Sequence, residues 1–334
     1  MTEKPDFHPD IIPPKVAVLL VNLGTPDAPT AKAVRRYLAE FLSDKRVVEL
    51  PDLVWKPILH GIVLNTRPRK SAAAYAKVWM EEGSPLAVHT KHQVAALQAA
   101  LGDSVHVDYA MRYGRPGIGF RLEQMKAEGY ERILLAPLYP QYCGATTATV
   151  VDEAGSELAD MRWQPTVRVM PPYHDDPAYI DALASSLRTG IAALDFEPEA
   201  VVASFHGMPR RTLELGDPYH CQCQKTARLV GEALGRPLFV SFQSRFGRAK
   251  WLEPSTADML AALPEKDIRK IAIFAPGFAV DCLETLEELA MEGKEQFSEA
   301  GGTHFAYIPC LNASAPGMAM LETIVRRELA GWID

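Results

Sequence analysis

Two patterns of apolar positions alternate along this chain: continuous apolar runs, and apolar residues spaced three or four positions apart. Continuous apolar runs, typical of buried strands, begin at residue 16 and recur toward the end of the sequence. Between them, apolar residues recur every three or four positions, as they do from Val34 to Leu42, which is the pattern of an amphipathic helix. Thr30 precedes that helix as a predicted cap, and Ser84-Pro85 is predicted to open another helix.

The pattern predicts eight strands separated by helices. The predicted strands are 16–22, 105–111, 132–138, 166–170, 201–205, 238–242, 270–274 and 305–308. The predicted helices are 34–42, 85–101, 118–129, 146–161, 178–194, 224–234, 255–263, an acidic helix from 281, and 318–332. Strands that alternate with helices of this length indicate βαβ units and parallel sheets.

The two halves of the chain show weak signs of duplication. Each begins with a strand that stops at a polar residue and a glycine, Asn22-Leu23-Gly24 in one half and His206-Gly207 in the other. We therefore expect an α/β protein of two similar doubly wound, Rossmann-like domains with parallel sheets and a ligand cleft between them. The expected boundaries are a flexible lead at 1–14, a first domain at 15–172 and a second at 173–334. The last helix is expected to extend from the second domain and to pack against the first.

Composition narrows the class of protein. Hydrophobic residues make up 48% and charged residues 23% of 334 positions, as in globular proteins, and the net charge of −7 argues against nucleic acid as a partner. No apolar run is long enough to span a bilayer, and the first residues lack a signal-peptide core. Leu53–Leu64 is apolar but short, and it fits either a core segment or a lip that touches an apolar ligand or a membrane.

The five cysteines indicate free thiols in a reducing compartment, which favours a cytoplasmic location. Cys221 and Cys223 have a C-x-C spacing that is tighter than usual for zinc, and structural thiols are the favoured interpretation over a metal cluster. Nucleotide motifs are missing, since neither G-x-G-x-x-G after a strand nor a P-loop occurs.

Two features carry candidate chemistry. His206 ends an apolar strand and is followed by Gly207, Met208 and Pro209, which places an imidazole at the ligand-facing edge of a parallel sheet. Asp281, Glu284 and Glu288 share one face if the acidic segment is an α-helix. A buried histidine with a satisfied hydrogen bond and a solvated acidic helix end are the structural alternatives.

Five ordered segments resemble the ferrochelatase family, bacterial type, over about residues 15–332. They are Asn22–Pro26, Tyr109–Tyr113, Tyr139–Tyr142 with Thr146-Thr147, Ser204–Pro209 with Gly216–Tyr219, and Phe278–Glu288. The resemblance implies a chelatase-like fold and a lyase that inserts Fe²⁺ into protoporphyrin IX in the last step of haem synthesis. Two protons would be released for each porphyrin.

The same resemblance implies roles for individual residues. His206 and Glu284 would form the catalytic and metal site, and Asp281 and Glu288 would serve as a proton relay or a secondary metal path. The porphyrin pocket would be lined by Asn22, Arg112, Tyr113, Tyr142, Trp251 and Phe278. Segment 53–64 would then form a porphyrin lip.

The resemblance has departures and alternatives. Many family members carry histidine where this chain has Cys282. Some members bind a [2Fe-2S] cluster through four cysteines, often in an extension beyond the position of Asp334. Cys143, Cys221 and Cys223 with a fourth cysteine leave such a cluster as the less favoured alternative here, and no other tightly bound cofactor is expected. Expected partners are porphyrin and ferrous iron, with peripheral contact to the inner membrane face left open, in a monomer or homodimer. The alternatives are a cobalt chelatase acting on a tetrapyrrole precursor and a non-catalytic tetrapyrrole-binding protein.

Overall fold

Two four-stranded parallel sheets organise the molecule, as predicted. The computed structural model describes residues 15–247 and 249–333, so the predicted flexible lead at 1–14 lies outside the described residues. The first sheet has the order β2-β1-β3-β4 and the second β6-β5-β7-β8. Their strands are β1 Lys15–Gly24, β2 Val105–Tyr113, β3 Tyr130–Pro137, β4 Thr166–Val169, β5 Ala200–His206, β6 Phe239–Gln243, β7 Lys270–Phe274 and β8 His304–Ile308.

Helices connect the strands and cover the sheets. The α-helices are α1 Ala31–Phe41, α2 Asp52–Ile58, α3 Leu64–Val78, α4 Pro85–Leu101, α5 Ile118–Ala127, α6 Thr149–Ala159, α7 Pro177–Ala192, α8 Arg210–Glu214, α9 Tyr219–Leu234, α10 Thr256–Glu265, α11 Lys294–Glu299 and α12 Ala315–Glu328. Three segments have π-helical bonding, Leu59–Val63, Gly144–Ala148 and Glu284–Gly293, and Gly102–Ser104 is a 3₁₀ turn.

The predicted caps form, because hydroxyl oxygens accept the otherwise unpaired amides of a first helical turn. Thr30 Oγ1 accepts from Ala33 N at 3.3 Å, and Ser84 Oγ accepts from Ala87 N at 3.3 Å. The predicted start of the helix at 224 is too late. The Asp217 carboxylate accepts the backbone amide of Tyr219 at 2.9 Å, so α9 begins directly after Pro218.

One apolar core joins the two sheets. Leu20 of β1 and Phe205 of β5 are both fully buried and belong to the same cluster. Leu183 of α7 and Ile324 of α12 complete it from the helical layer. α12 lies against both α4 and α7, and Arg326 Nη2 donates to Ala100 O at 2.7 Å. The outer faces of the sheets have smaller separate clusters, so the shared core connects the halves.

Segment 53–64 is partly a core segment and partly an exposed lip, the two alternatives that the sequence left open. Leu59 and Leu64 are buried in a small cluster with Leu42, as a core segment would be. Leu53 and Ile62 are 92% and 60% exposed, as a lip would be. Since α2, the π-helical segment and α3 follow one another without a break, this lip runs directly into α3. Among the described residues, no helix has both the length and the apolar character that a bilayer crossing requires.

Candidate active site

His206 lies at the carboxyl end of β5 with one ring nitrogen already engaged. Its Nδ1 is 2.7 Å from the Gly207 carbonyl oxygen. A carbonyl only accepts, so Nδ1 donates in this contact, and it is Nε2 that has a lone pair when the ring is in its neutral form. Gly207 is required at the next position, because a Cβ there would lie 2.5 Å from Gln243 O. The local backbone therefore orients the ring through Nδ1 and leaves Nε2 as the nitrogen that can act on a ligand.

The acidic segment reaches His206 through the end of β6. Gln243 is the register partner of His206 in the sheet, and its Nε2 donates to the backbone oxygen of Glu284 at 2.9 Å. Ser244, the next residue, binds the Glu288 carboxylate through its backbone N and its Oγ, each at 2.5 Å. Two consecutive residues thus hold the backbone of Glu284 and the carboxylate of Glu288, and Glu288 lies within electrostatic reach of His206. Neither Gln243 nor Ser244 was predicted from the sequence, although polar residues directly after a strand of a parallel sheet are a usable signal.

Opposing effects act on the pKa of the Glu288 carboxyl. Burial raises the pKa of this carboxyl above its ordinary value, while the two Ser244 hydrogen bonds and His206 act to lower it. The negative charge of Glu284 raises it further. A carboxyl held in this way can take up and release a proton beside a basic imidazole.

Asp281 does not share the surroundings of the other two carboxylates. It is 4% exposed, and its oxygens accept from Tyr307 Oη at 2.6 Å, Asn312 Nδ2 at 2.6 Å and Thr285 Oγ1 at 3.2 Å. The predicted α-helix from 281 is also wrong in detail. The helix begins after Asp281, and Glu284–Gly293 has π-helical bonding, so a period of 3.6 does not place the three acids on one face. Asp281 anchors the start of the segment to the β8 side.

Two predicted pocket aromatics lie beside the histidine. The Phe278 ring centroid is 6.3 Å from that of His206. Trp251 is 7% exposed, and a Cβ at Gly207 would contact its ring at 3.3 Å. Among the protein groups described, the Trp251 indole N–H has no hydrogen-bond partner. Tyr142 is half-buried in the loop after β3, where its backbone amide donates to Gln222 Oε1 at 2.6 Å.

The predicted pocket residues at the ends of the strands of the first sheet are hydrogen-bonded to other side chains of the protein. Asn22 Nδ2 donates to Thr90 Oγ1 at 3.2 Å. Arg112 Nη2 and Tyr113 Oη both donate to Asp44 Oδ2, at 2.7 and 2.9 Å, and Tyr113 is 1% exposed. These side chains therefore build a buried wall at the ends of β1 and β2.

Two phenols not singled out from the sequence lie close to Glu284. Tyr37 of α1 and Tyr75 of α3 are buried, and burial raises the pKa of both well above the ordinary value. The charge of Glu284 adds to this increase in each case. The carboxylate of Glu284 is thus within electrostatic reach of the first half of the chain as well as of Glu288.

Four of the five cysteines are buried, and they form two pairs of neighbours. Cys143 and Cys223 are buried near each other in the shared core, where burial raises the pKa of Cys143 to about 12, while Cys221 is exposed. Cys282 and Cys310 are buried near the start of the acidic segment. Within residues 15–247 and 249–333, no three His, Cys, Asp or Glu side chains form a group that could hold a metal ion.

Together, the paired parallel sheets define a chelatase-like α/β fold, with His206 at the carboxyl end of β5. Two solved structures of SirB from Bacillus subtilis have this fold. One, with Fe³⁺, matches at TM-score 0.57 and 14% identity over 75% of this chain and 93% of that one. The other, a sirohydrochlorin chelatase with cobalt from subspecies spizizenii, matches at 0.55 and 10% over 95% and 97%.

Sequence comparison identifies the family. A family model described as Ferrochelatase matches residues 15–329. Ferrochelatase of Rhizobium meliloti is 55% identical over 98% of both chains, and that of Chromobacterium violaceum is 52% identical over 99% of this chain and 92% of its own. The chain belongs to the ferrochelatase family. The sequence-based resemblance, the fold class and the expectation of a metal-inserting lyase are therefore confirmed.

Proposed function

We propose that this protein inserts Fe²⁺ into protoporphyrin IX at the site formed by His206, Glu284 and Glu288. The observation that carries the proposal is the convergence at the ends of β5 and β6, where Gln243 holds the Glu284 backbone and Ser244 holds the Glu288 carboxylate within electrostatic reach of His206. Such a set supplies a base for pyrrole protons and oxygen ligands for a ferrous ion.

In the proposed reaction, the two pyrrole N–H protons leave as iron binds the four ring nitrogens. His206 Nε2 accepts a proton from a pyrrole nitrogen, since its Nδ1 proton is held by the Gly207 carbonyl. The Glu284 carboxylate binds the incoming ferrous ion, and Glu288 takes protons onward to solvent. The charge balance is complete, because a dication enters and two protons leave.

The porphyrin is proposed to lie against Trp251 and Phe278, which flank His206. An apolar macrocycle suits aromatic walls, and a rigid wall can hold it in a bent form that exposes its nitrogen lone pairs. Arg112 and Tyr113 are proposed to shape the opposite wall rather than to bind a free carboxylate, because their donors are already engaged. Asp44 accepts from Tyr113 Oη and Arg112 Nη2, while Thr149 O and Glu153 engage the other two nitrogens of Arg112. Asn22 and Tyr142 would complete the pocket.

The lip is proposed to place the protein at the cytoplasmic face of a membrane while the porphyrin enters. Leu53, Val54 and Ile62 are 92%, 54% and 60% exposed, which is unusual for three neighbouring large apolar side chains. An apolar substrate that partitions into lipid would then reach the site without crossing water. Iron and porphyrin are substrates in this proposal, and no resident cofactor takes part.

His206→Ala tests the proposal. We expect the variant to lose iron insertion by at least about a hundredfold, because the general base contributes on that order, while porphyrin binding measured by fluorescence quenching stays within about twofold. His220→Ala, which changes a histidine outside the histidine–carboxylate site, serves as the control. Insertion is followed anaerobically by visible absorbance with Fe²⁺ and, in parallel, Co²⁺. Parental Fe²⁺ insertion by His206→Ala would refute the assigned role.

A further inference from the structure

A lysine of the first half is bonded to the acidic segment of the second. Lys77 Nζ donates to Glu287 Oε1 at 2.6 Å, across 210 positions of sequence. The lysine side chain is 52% exposed, whereas that of Glu287 is only 10% exposed. Glu287 is thus a nearly buried carboxylate whose charge is met by a cation from α3, the helix that continues the lip.

A second contact joins the same two elements. Leu283 packs against the cluster formed by Val34, Ala72 and Tyr75. Leu283 and Glu287 are four positions apart and both face α3. Glu284 and Glu288 come one position after each of them, and both are held from the β6 side by Gln243 and Ser244. The acidic segment is therefore fixed on two faces, with its functional carboxylates beside the face that α3 holds.

We propose that Lys77 is a positioning residue for metal insertion. Its ion pair with Glu287 sets the rotation of the Glu284–Gly293 segment about its axis, and this rotation sets where the Glu284 carboxylate lies relative to His206. Because Glu287 is nearly buried, losing Lys77 would leave a poorly solvated carboxylate. A structural role alone would therefore lower the stability and leave kcat of the folded enzyme nearly unchanged. The inference rests on the proposed function of His206 and Glu284.

Lys77→Met tests the inference, since methionine keeps the apolar stem and removes the charge. We expect kcat for iron insertion to fall about tenfold, which corresponds to about 1.4 kcal/mol of transition-state stabilisation. KM for porphyrin and the porphyrin fluorescence-quenching constant should stay within about twofold. Lys77→Arg should recover most of kcat, because its guanidinium also pairs with a carboxylate.

Lys70→Met is the matched control, as it removes an exposed lysine from the same helix. The charge-swapped double variant Lys77→Glu/Glu287→Lys should exceed Lys77→Glu alone in kcat, and it keeps the inference testable if Lys77→Met is poorly folded. Parental kcat in Lys77→Met, or a loss that Lys77→Arg and the swap both fail to recover, would overturn the inference. If His206→Ala also inserts iron at the parental rate, the proposed function itself fails. Loss in His206→Ala with parental Lys77→Met overturns the role of Lys77 alone.

Discussion

At the scale of single residues, Ser244 controls the charge of a carboxylate. Two donors of this residue, the backbone N–H and the hydroxyl, stabilise ionised Glu288 against the effect of its burial. Ser244 also has a left-handed backbone, with φ of 63°, which is uncommon outside glycine. The turn after β6 thus places both donors toward the acidic segment at some conformational cost.

Ser244→Ala is expected to shift the pH dependence of iron insertion. Losing the hydroxyl donor raises the pKa of Glu288 further, so the carboxylate becomes protonated at a higher pH. The acid limb of the kcat profile should therefore move to higher pH, while the rate on the alkaline plateau changes less. Ser43→Ala, which removes an exposed hydroxyl bonded to Ala39 O at 2.5 Å, should leave the profile in place. An unshifted acid limb in Ser244→Ala would contradict this account of Glu288.

At the scale of elements, the sequence predicted the sheets well and the acidic helix incompletely. Both ends of strand 270–274 were predicted correctly, because a short apolar run with polar flanks is typical of a buried strand. The acidic helix was assigned the ordinary period of 3.6. Its later start goes with the hydrogen bonds that the Asp281 carboxylate accepts from Tyr307 and Asn312, which lie more than 25 positions away.

Site residues could be predicted only where residues next to them in the sequence gave the signal. His206 was found because Gly and Pro follow its strand. Lys77 and Tyr75 lie on an ordinary helix face, and nothing in their local pattern reveals that Glu287 and Glu284 lie opposite. Long-range pairing of single side chains leaves no periodic signal, so the first-half contribution to the acidic segment emerges only from the structure.

The lip yields a prediction at this scale. Replacing Leu53 and Ile62 together by serine should weaken binding to vesicles of anionic bacterial lipid by about tenfold or more, because each side chain loses on the order of 1.5–3 kcal/mol of burial in the bilayer surface. Cosedimentation measures this directly. Phe120→Ser, at a 62% exposed position of α5, is the control. Equal binding by the lip variant and the parent would mean that the lip contacts something other than lipid.

At the scale of the whole molecule, the shared core makes the two sheets depend on each other. Leu20 and Phe205 come from different sheets and are buried in one cluster, together with side chains of α7 and α12. The Glu287–Lys77 pair and the Asp217–Gly144 hydrogen bond, at 2.7 Å, add polar links between the halves. If one sheet unfolded, the shared cluster would lose part of its side chains and open to solvent, while the outer cluster of the other sheet would remain.

We therefore expect one cooperative unfolding transition in calorimetry, although chains of this size often show more than one. Leu20→Ala, in the shared core, should lower the stability by about 2–5 kcal/mol through the cavity it leaves. Leu260→Ala changes an equally buried leucine in the outer cluster of the second sheet. Both variants should move the same single peak to lower temperature. Two resolved peaks, of which Leu20→Ala shifts one and Leu260→Ala the other, would show that the sheets unfold independently. The ion pair between Lys77 and the acidic segment would then join two units that unfold separately.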